Sequence, residues 1–110
     1  MLKVALLFLI VILLAVCPVA MFGGAKDLYD PQCSSCHAVD GSGATPAGRK
    51  LGTIDLRSKQ VQSMSDQEIF ESIAYGIKHK EYPHGFARRG LTTEQINDLV
   101  SYIRKMPARK

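Results

Sequence analysis

The stretch Cys33-Ser34-Ser35-Cys36-His37 decides the fold of this chain. Residues three apart lie on one face of a helical turn, so this spacing presents two thiols side by side, next to an imidazole. Three kinds of site could use Cys33 and Cys36: a thioredoxin-like redox pair, half of a zinc site, or a structural disulfide. The redox pair needs a β-α-β context and the zinc site a second close Cys/His pair, whereas only His79 and His84 remain. A disulfide would give His37 no role.

The N-terminal segment is typical of an export signal. Lys3 precedes an uncharged apolar run over residues 4–22, and Gly23-Gly24-Ala25 supplies the small residues of a cleavage site. The run is longer than an ordinary signal and close to the roughly 20 residues that span a bilayer. We therefore predict a signal peptide or an N-terminal membrane anchor over residues 1–25 and an exported domain over residues 26–110, in an oxidising compartment.

The composition of the exported part predicts that its fold needs stabilisation beyond its own hydrophobic core. Residues 26–110 contain only 16 Leu, Ile, Val and Phe, and a core this thin needs a disulfide, a metal or a bound cofactor. The net charge of +4 is mild and the charges are interspersed, which argues against nucleic acid as a partner. We expect membrane contact only if residues 4–22 remain as an anchor.

A Cys-x-x-Cys-His sequence in an exported chain is the signal for covalent attachment of haem c. In this interpretation Cys33 and Cys36 each form a thioether to one haem vinyl group, and His37 is the proximal iron ligand. One haem held in this way would fill the centre of a domain that has few apolar side chains of its own. We therefore favour haem over the redox pair, the zinc site and the disulfide.

Three segments are predicted to be helical. The first covers residues 26–36, and the other two begin with capping boxes at Ser65 and Thr92, each followed by apolar residues at helical spacing. Two irregular loops, residues 38–63 and 78–91, connect them. Because no segment alternates as a strand would, we predict an all-α fold.

Residues 26–105 resemble a small bacterial class I cytochrome c. Tyr29, four residues before the first cysteine, matches the aromatic residue of the family's N-terminal helix, and residues 99–103 match its C-terminal helix, where an aromatic residue packs across the first. The resemblance implies a small class I cytochrome c fold, with three main helices and two irregular loops around one covalently attached haem. It also implies that a proline carbonyl accepts the Nδ1 proton of His37, and Pro46 is our candidate.

The chain departs from the family at the sixth iron ligand. The family places a methionine followed by proline between its second and third helices, but residues 78–87 contain no methionine. Met64 and Met106 lie outside this loop, and we expect them to be packing residues. We favour His84 as the distal ligand, because the adjacent Gly85 permits a close approach to the porphyrin. The alternatives are a water-bound or open site, His79, Lys80 and Tyr82.

The predicted function is electron transfer between transient redox protein partners in the periplasm, by a protein that is not an enzyme. A second imidazole should give a lower reduction potential than a thioether. Two alternatives are a haem-based gas sensor or small haem enzyme with an exchangeable distal ligand, and a structural role. Four basic residues lie in the second loop: Lys78, Lys80, Arg88 and Arg89. They could steer an acidic partner. The alternative is a solvated basic loop with no partner.

Overall fold

A computed structural model describes residues 1–3, 23–76 and 84–107. Between residues 23 and 107, the described part of the chain contains helices and turns and no strand. The helices are α1 (Ala25–Gln32), α2 (Ser34–His37), α3 (Pro46–Leu51), α4 (Lys59–Gln62), α5 (Asp66–Tyr75) and α6 (Thr93–Arg104). The all-α class predicted from the sequence is confirmed.

Helices α5 and α6 begin at the two predicted capping boxes. The Ser65 hydroxyl accepts from the Glu68 N–H, and the Glu68 carboxylate accepts from the Ser65 N–H. Thr92 and Gln95 make the same reciprocal pair at the start of α6. Helix α5 ends at Gly76, whose φ of 70° is the left-handed cap that glycine adopts without a steric penalty. Both predicted helices are therefore confirmed.

The first predicted helix is divided in two. Helix α1 ends at Gln32, and Cys33, with φ at −124°, separates it from α2. Pro31 lies inside α1 and cannot donate a backbone hydrogen bond, which weakens the ladder just before this break. The attachment motif therefore occupies a turn of its own.

The first loop, predicted to be irregular, contains the two short helices α3 and α4. Each begins at a hydroxyl side chain that accepts a backbone N–H: Thr45 accepts from Gly48, and Ser58 accepts from Val61. Pro46 occupies the first position of α3, where a missing N–H is harmless. These capping signals are present in the sequence, but helices of four and six residues are too short to show a hydrophobic period.

The terminal helices cross at an aromatic pair. The ring centroids of Tyr29 in α1 and Tyr102 in α6 lie 5.1 Å apart, with a tilt of 46° between the planes. This confirms the contact expected from the sequence. The hydrophobic core continues from this crossing along α6 and α5, and its buried members are Tyr29, Leu56, Val61, Ile69, Leu99, Val100 and Ile103.

We expect the two tyrosine rings to be energetically coupled, because tilted aromatic pairs contribute roughly 0.5–1.5 kcal/mol beyond the burial of their area. The measurement is a double-mutant cycle of denaturant unfolding with Tyr29→Leu and Tyr102→Leu, which keep apolar bulk at both positions. Additive effects of the two substitutions would show that the contact carries no interaction energy.

Several sequence predictions fall outside the described residues. The export or anchor segment lies almost entirely within residues 4–22, and His79, Lys80 and Tyr82 lie within residues 77–83. They remain predictions. In the part of the chain that the structure describes, no helix combines the length and the apolar character needed to cross a membrane.

Candidate cofactor site

The attachment motif opens onto a cavity of about 340 Å³. Cys33, Cys36, His37 and His84 all line this cavity, so the structure brings together four of the five predicted site residues. The remaining wall is mostly apolar and comes from the first loop and from α5 and α6. Its aliphatic members are Leu51, Ile54, Leu56, Val61, Ile69, Ile73, Leu99 and Ile103.

The motif forms a single compact turn. The His37 N–H donates to the Cys33 carbonyl at 2.9 Å, and the Ala38 N–H donates to the Ser34 carbonyl at the same distance. Cys33 and Cys36 are half-buried free thiols. The local fold thus presents two thiols and one imidazole to the same apolar space, as thioether attachment of a haem requires.

The environment of Cys33 does not suit a thioredoxin-like redox pair. Burial raises the pKa of the Cys33 thiol to about 11. A reactive redox cysteine needs the opposite shift, because the thiolate is the nucleophile. The described residues also lack the strands that would surround such a pair, so the structure favours haem attachment over redox exchange.

Helix α3 packs directly against the backbone of the motif. The Thr45 hydroxyl donates to the Ser35 carbonyl at 2.7 Å and accepts from the Gly48 N–H at 2.8 Å. A Cβ atom at Gly48 would overlap the carbonyl oxygens of Cys36 and Gly43. The close approach therefore requires glycine at this position.

Pro46 lies at the exposed start of α3. It is not among the described residues that line the cavity. Its carbonyl as the acceptor for the His37 Nδ1 proton therefore stays a prediction.

His84 is held in place by the C-terminal end of α5. The next three amides donate to carbonyls of that helix: Gly85 and Phe86 to Ile73, at 3.1 Å each, and Ala87 to Ala74, at 3.2 Å. Carbonyls in the last turn of a helix have no partner within it, so this segment satisfies them. Gly85 is buried and has φ at 93°, a conformation that favours glycine.

The imidazoles of His37 and His84 are nearly parallel. Their planes differ by 6° and their centroids lie 6.1 Å apart. Two imidazoles that bind one metal ion from opposite sides, at about 2 Å each as in metal–histidine bonds, have ring centres roughly 6 Å apart. The centroid spacing of the two rings is therefore compatible with an iron bound between them.

Phe86 is a site residue that sequence reasoning missed. It is buried, lines the cavity, and lies with its ring centroid 6.1 Å from that of His84. The guanidinium of the exposed Arg89 lies 4.7 Å from the centre of the Phe86 ring. The available signal was an apolar aromatic residue two positions after His84 in a loop rich in charged residues.

Met64 and Met106 pack against the core, as expected. Met64 and Met106 are both partly buried hydrophobic residues in contact with the core cluster. Met64 also lines the cavity, and its carbonyl accepts a hydrogen bond from the Arg104 guanidinium.

The fold and the cavity together indicate a class of protein: a small helical domain with an apolar cavity at a Cys-x-x-Cys-His turn. Comparison with known families agrees, since the family described as Cytochrome c matches residues 24–107. The chain belongs to the cytochrome c family, whose members are haem-based electron-transfer proteins. A comparison with curated proteins gives no match.

Proposed function

We propose that this chain is a bacterial monohaem cytochrome c that carries electrons between redox proteins in the periplasm. The observation that supports this most strongly is the meeting of Cys33, Cys36, His37 and a second imidazole at one apolar cavity. Bound haem supplies an iron that changes between the ferric and ferrous states. The export signal predicted over residues 1–25 supports the location.

In this proposal Cys33 and Cys36 hold the haem through two thioethers, His37 is the proximal ligand and His84 is the distal ligand. The parallel rings of the two histidines, 6.1 Å apart, support the distal assignment. With two protein ligands, the iron would have no open position for a substrate. Such an iron is suited to electron transfer. We therefore propose that the protein is a carrier and not an enzyme.

The proposed partners are redox proteins with acidic docking surfaces. Arg88 and Arg89 are exposed, and Arg89 lies over Phe86 at the wall of the cavity. Positive charge at this position would attract an acidic partner over a distance and orient it before contact. Raising the ionic strength should then slow electron transfer from such a partner.

We expect the exported protein to carry exactly one covalently bound haem. Its intact mass should exceed that of the processed polypeptide by one haem, and acid acetone should not extract the pigment. The same mass spectrum locates the N terminus and so distinguishes a cleaved signal from a retained anchor. A polypeptide mass without haem, or extractable haem, would contradict the proposed function.

A further inference from the structure

The main chain around His37 is hydrogen-bonded on both sides. The His37 N–H donates to the Cys33 carbonyl at 2.9 Å, and the His37 carbonyl accepts from the Gly43 N–H at 2.8 Å. The next residue continues the pattern, because the Ala38 N–H donates to the Ser34 carbonyl at 2.9 Å. These bonds fix the path of the main chain from which the His37 side chain projects.

Ala38 has an unfavourable backbone conformation. Its φ of 62° and ψ of 162° lie in a region that is essentially restricted to glycine. Among the described residues, it is the one position other than glycine with a positive φ. Such a conformation persists only where surrounding contacts impose it.

The Tyr29 hydroxyl provides the contact. It donates to the Ala38 carbonyl at 2.7 Å, and the Gly41 N–H donates to the same oxygen at 3.2 Å. The Tyr29 side chain is fully buried and packs on Tyr102 of α6. Burial raises the pKa of Tyr29, so the phenol retains the proton that it donates.

We propose that Tyr29 is a positioning residue for His37. Its hydroxyl, which the packing of α1 against α6 holds in place, keeps Ala38 at its positive φ and so sets the orientation of the His37 imidazole at the iron. The inference rests on the proposed role of His37 as a haem ligand, and it holds whichever group binds on the opposite side.

The test compares Tyr29→Phe with Tyr102→Phe in the haem-containing protein. Tyr29→Phe keeps the ring and removes only the donor. Tyr102→Phe removes a hydroxyl from the same ring pair, where no hydrogen bond to a described residue is lost. The measurements are denaturant unfolding, the electron paramagnetic resonance (EPR) spectrum of the ferric protein and the midpoint potential. The EPR spectrum reports ligand orientation, because the plane of an imidazole decides which iron d orbital it perturbs.

We expect Tyr29→Phe to raise the equilibrium constant for unfolding about fivefold, the effect of losing one ordinary hydrogen bond. We also expect it to shift both the EPR g values and the midpoint potential, whereas Tyr102→Phe leaves both at the wild-type values. A merely structural role for the hydroxyl would lower stability and leave the spectrum and the potential unchanged. That result, or equal shifts in the two variants, would overturn the proposal.

Ala38→Gly provides the second variant. Glycine adopts the φ and ψ of Ala38 without a steric penalty, so Tyr29→Phe should leave the EPR spectrum unchanged in the Ala38→Gly protein. If Tyr29→Phe alone does not accumulate with haem, adding Ala38→Gly should restore it. Failure of Ala38→Gly to rescue Tyr29→Phe would overturn the proposal. A wild-type protein without covalent haem in a pyridine haemochrome assay would contradict the proposed function instead.

Discussion

Replacing both cysteines of the attachment motif, Cys33→Ala with Cys36→Ala, is expected to abolish the cooperative fold together with haem attachment. The reason is the size of the cavity relative to the core. The cavity of about 340 Å³ is lined mostly by apolar side chains, and without haem this lining is exposed to water instead of buried. That loss is serious in a small domain, because a whole domain is stabilised by only ~5–15 kcal/mol.

The polypeptide has little with which to offset this cost. Ten apolar side chains of the described residues are buried, and several of them, including Leu99 and Ile103, line the cavity itself. Without the haem, these side chains face an empty space or water. Each loses part of the burial that makes it stabilising.

Circular dichroism provides the measurement for the double cysteine variant. We expect low helicity in the far-ultraviolet spectrum and no cooperative thermal transition. Ser35→Ala is the matched control, because it alters an exposed side chain of the same motif and leaves both thiols intact. A cooperative transition in the double variant at near-native helicity would show that the polypeptide core suffices alone.

Replacing the proposed distal ligand, His84→Ala, is expected to convert the iron to a high-spin state that binds carbon monoxide. The substitution removes the imidazole that faces His37 and leaves the backbone bonds of the following residues to α5 in place. His84→Met should instead raise the midpoint potential by on the order of 0.1 V, a fraction of the ≈ 0.8 V range that axial ligands span. A thioether favours the ferrous state more than an imidazole does.

Optical and EPR spectra test the distal ligand. The wild-type ferric protein should lack the near-infrared sulfur-to-iron band, and His84→Met should introduce it. Since the two imidazole planes differ by only 6°, both perturb the same iron d orbital, and the low-spin ferric EPR spectrum should be rhombic. His79→Ala is the control variant and should leave the spectra and the potential unchanged.

Two outcomes would contradict the distal assignment. A high-spin iron in His79→Ala, with wild-type behaviour in His84→Ala, would make His79 the ligand. An unchanged spin state in both variants would exclude both histidines. Carbon monoxide binding by the wild-type protein would then favour a sensor or a small enzyme over a carrier.

Much of the fold could be predicted from short-range sequence signals. The capping boxes at Ser65 and Thr92 set the first turns of α5 and α6, because both partners of each box lie within four residues. The division of the first helix at Cys33 and the short helices α3 and α4 were not predicted. Their ends depend on single side chains, such as Thr45 and Ser58, and no periodic pattern accompanies segments so short.

The Cys-x-x-Cys-His part of the candidate site was also predicted from the sequence alone. The spacing of Cys33, Cys36 and His37 places all three groups on one turn, whatever the rest of the chain does. The position of His84, the other predicted iron ligand, depends on contacts between residues that are not neighbours in the sequence. His84 faces His37 because the amides after it bond to carbonyls at the end of α5, and no local pattern encodes that pairing.

The same distinction separates the two roles of Tyr29. The resemblance to the cytochrome c family predicted an aromatic contact between Tyr29 and the C-terminal helix, and the ring packs on Tyr102. Its hydrogen bond to the Ala38 carbonyl could not be predicted, because it requires the chain to turn back after His37 with a positive φ at an alanine. The sequence by itself determined which groups are the candidates for attaching a haem. The tertiary structure decided how the groups around them are oriented, because that orientation arises from packing between helices far apart along the chain.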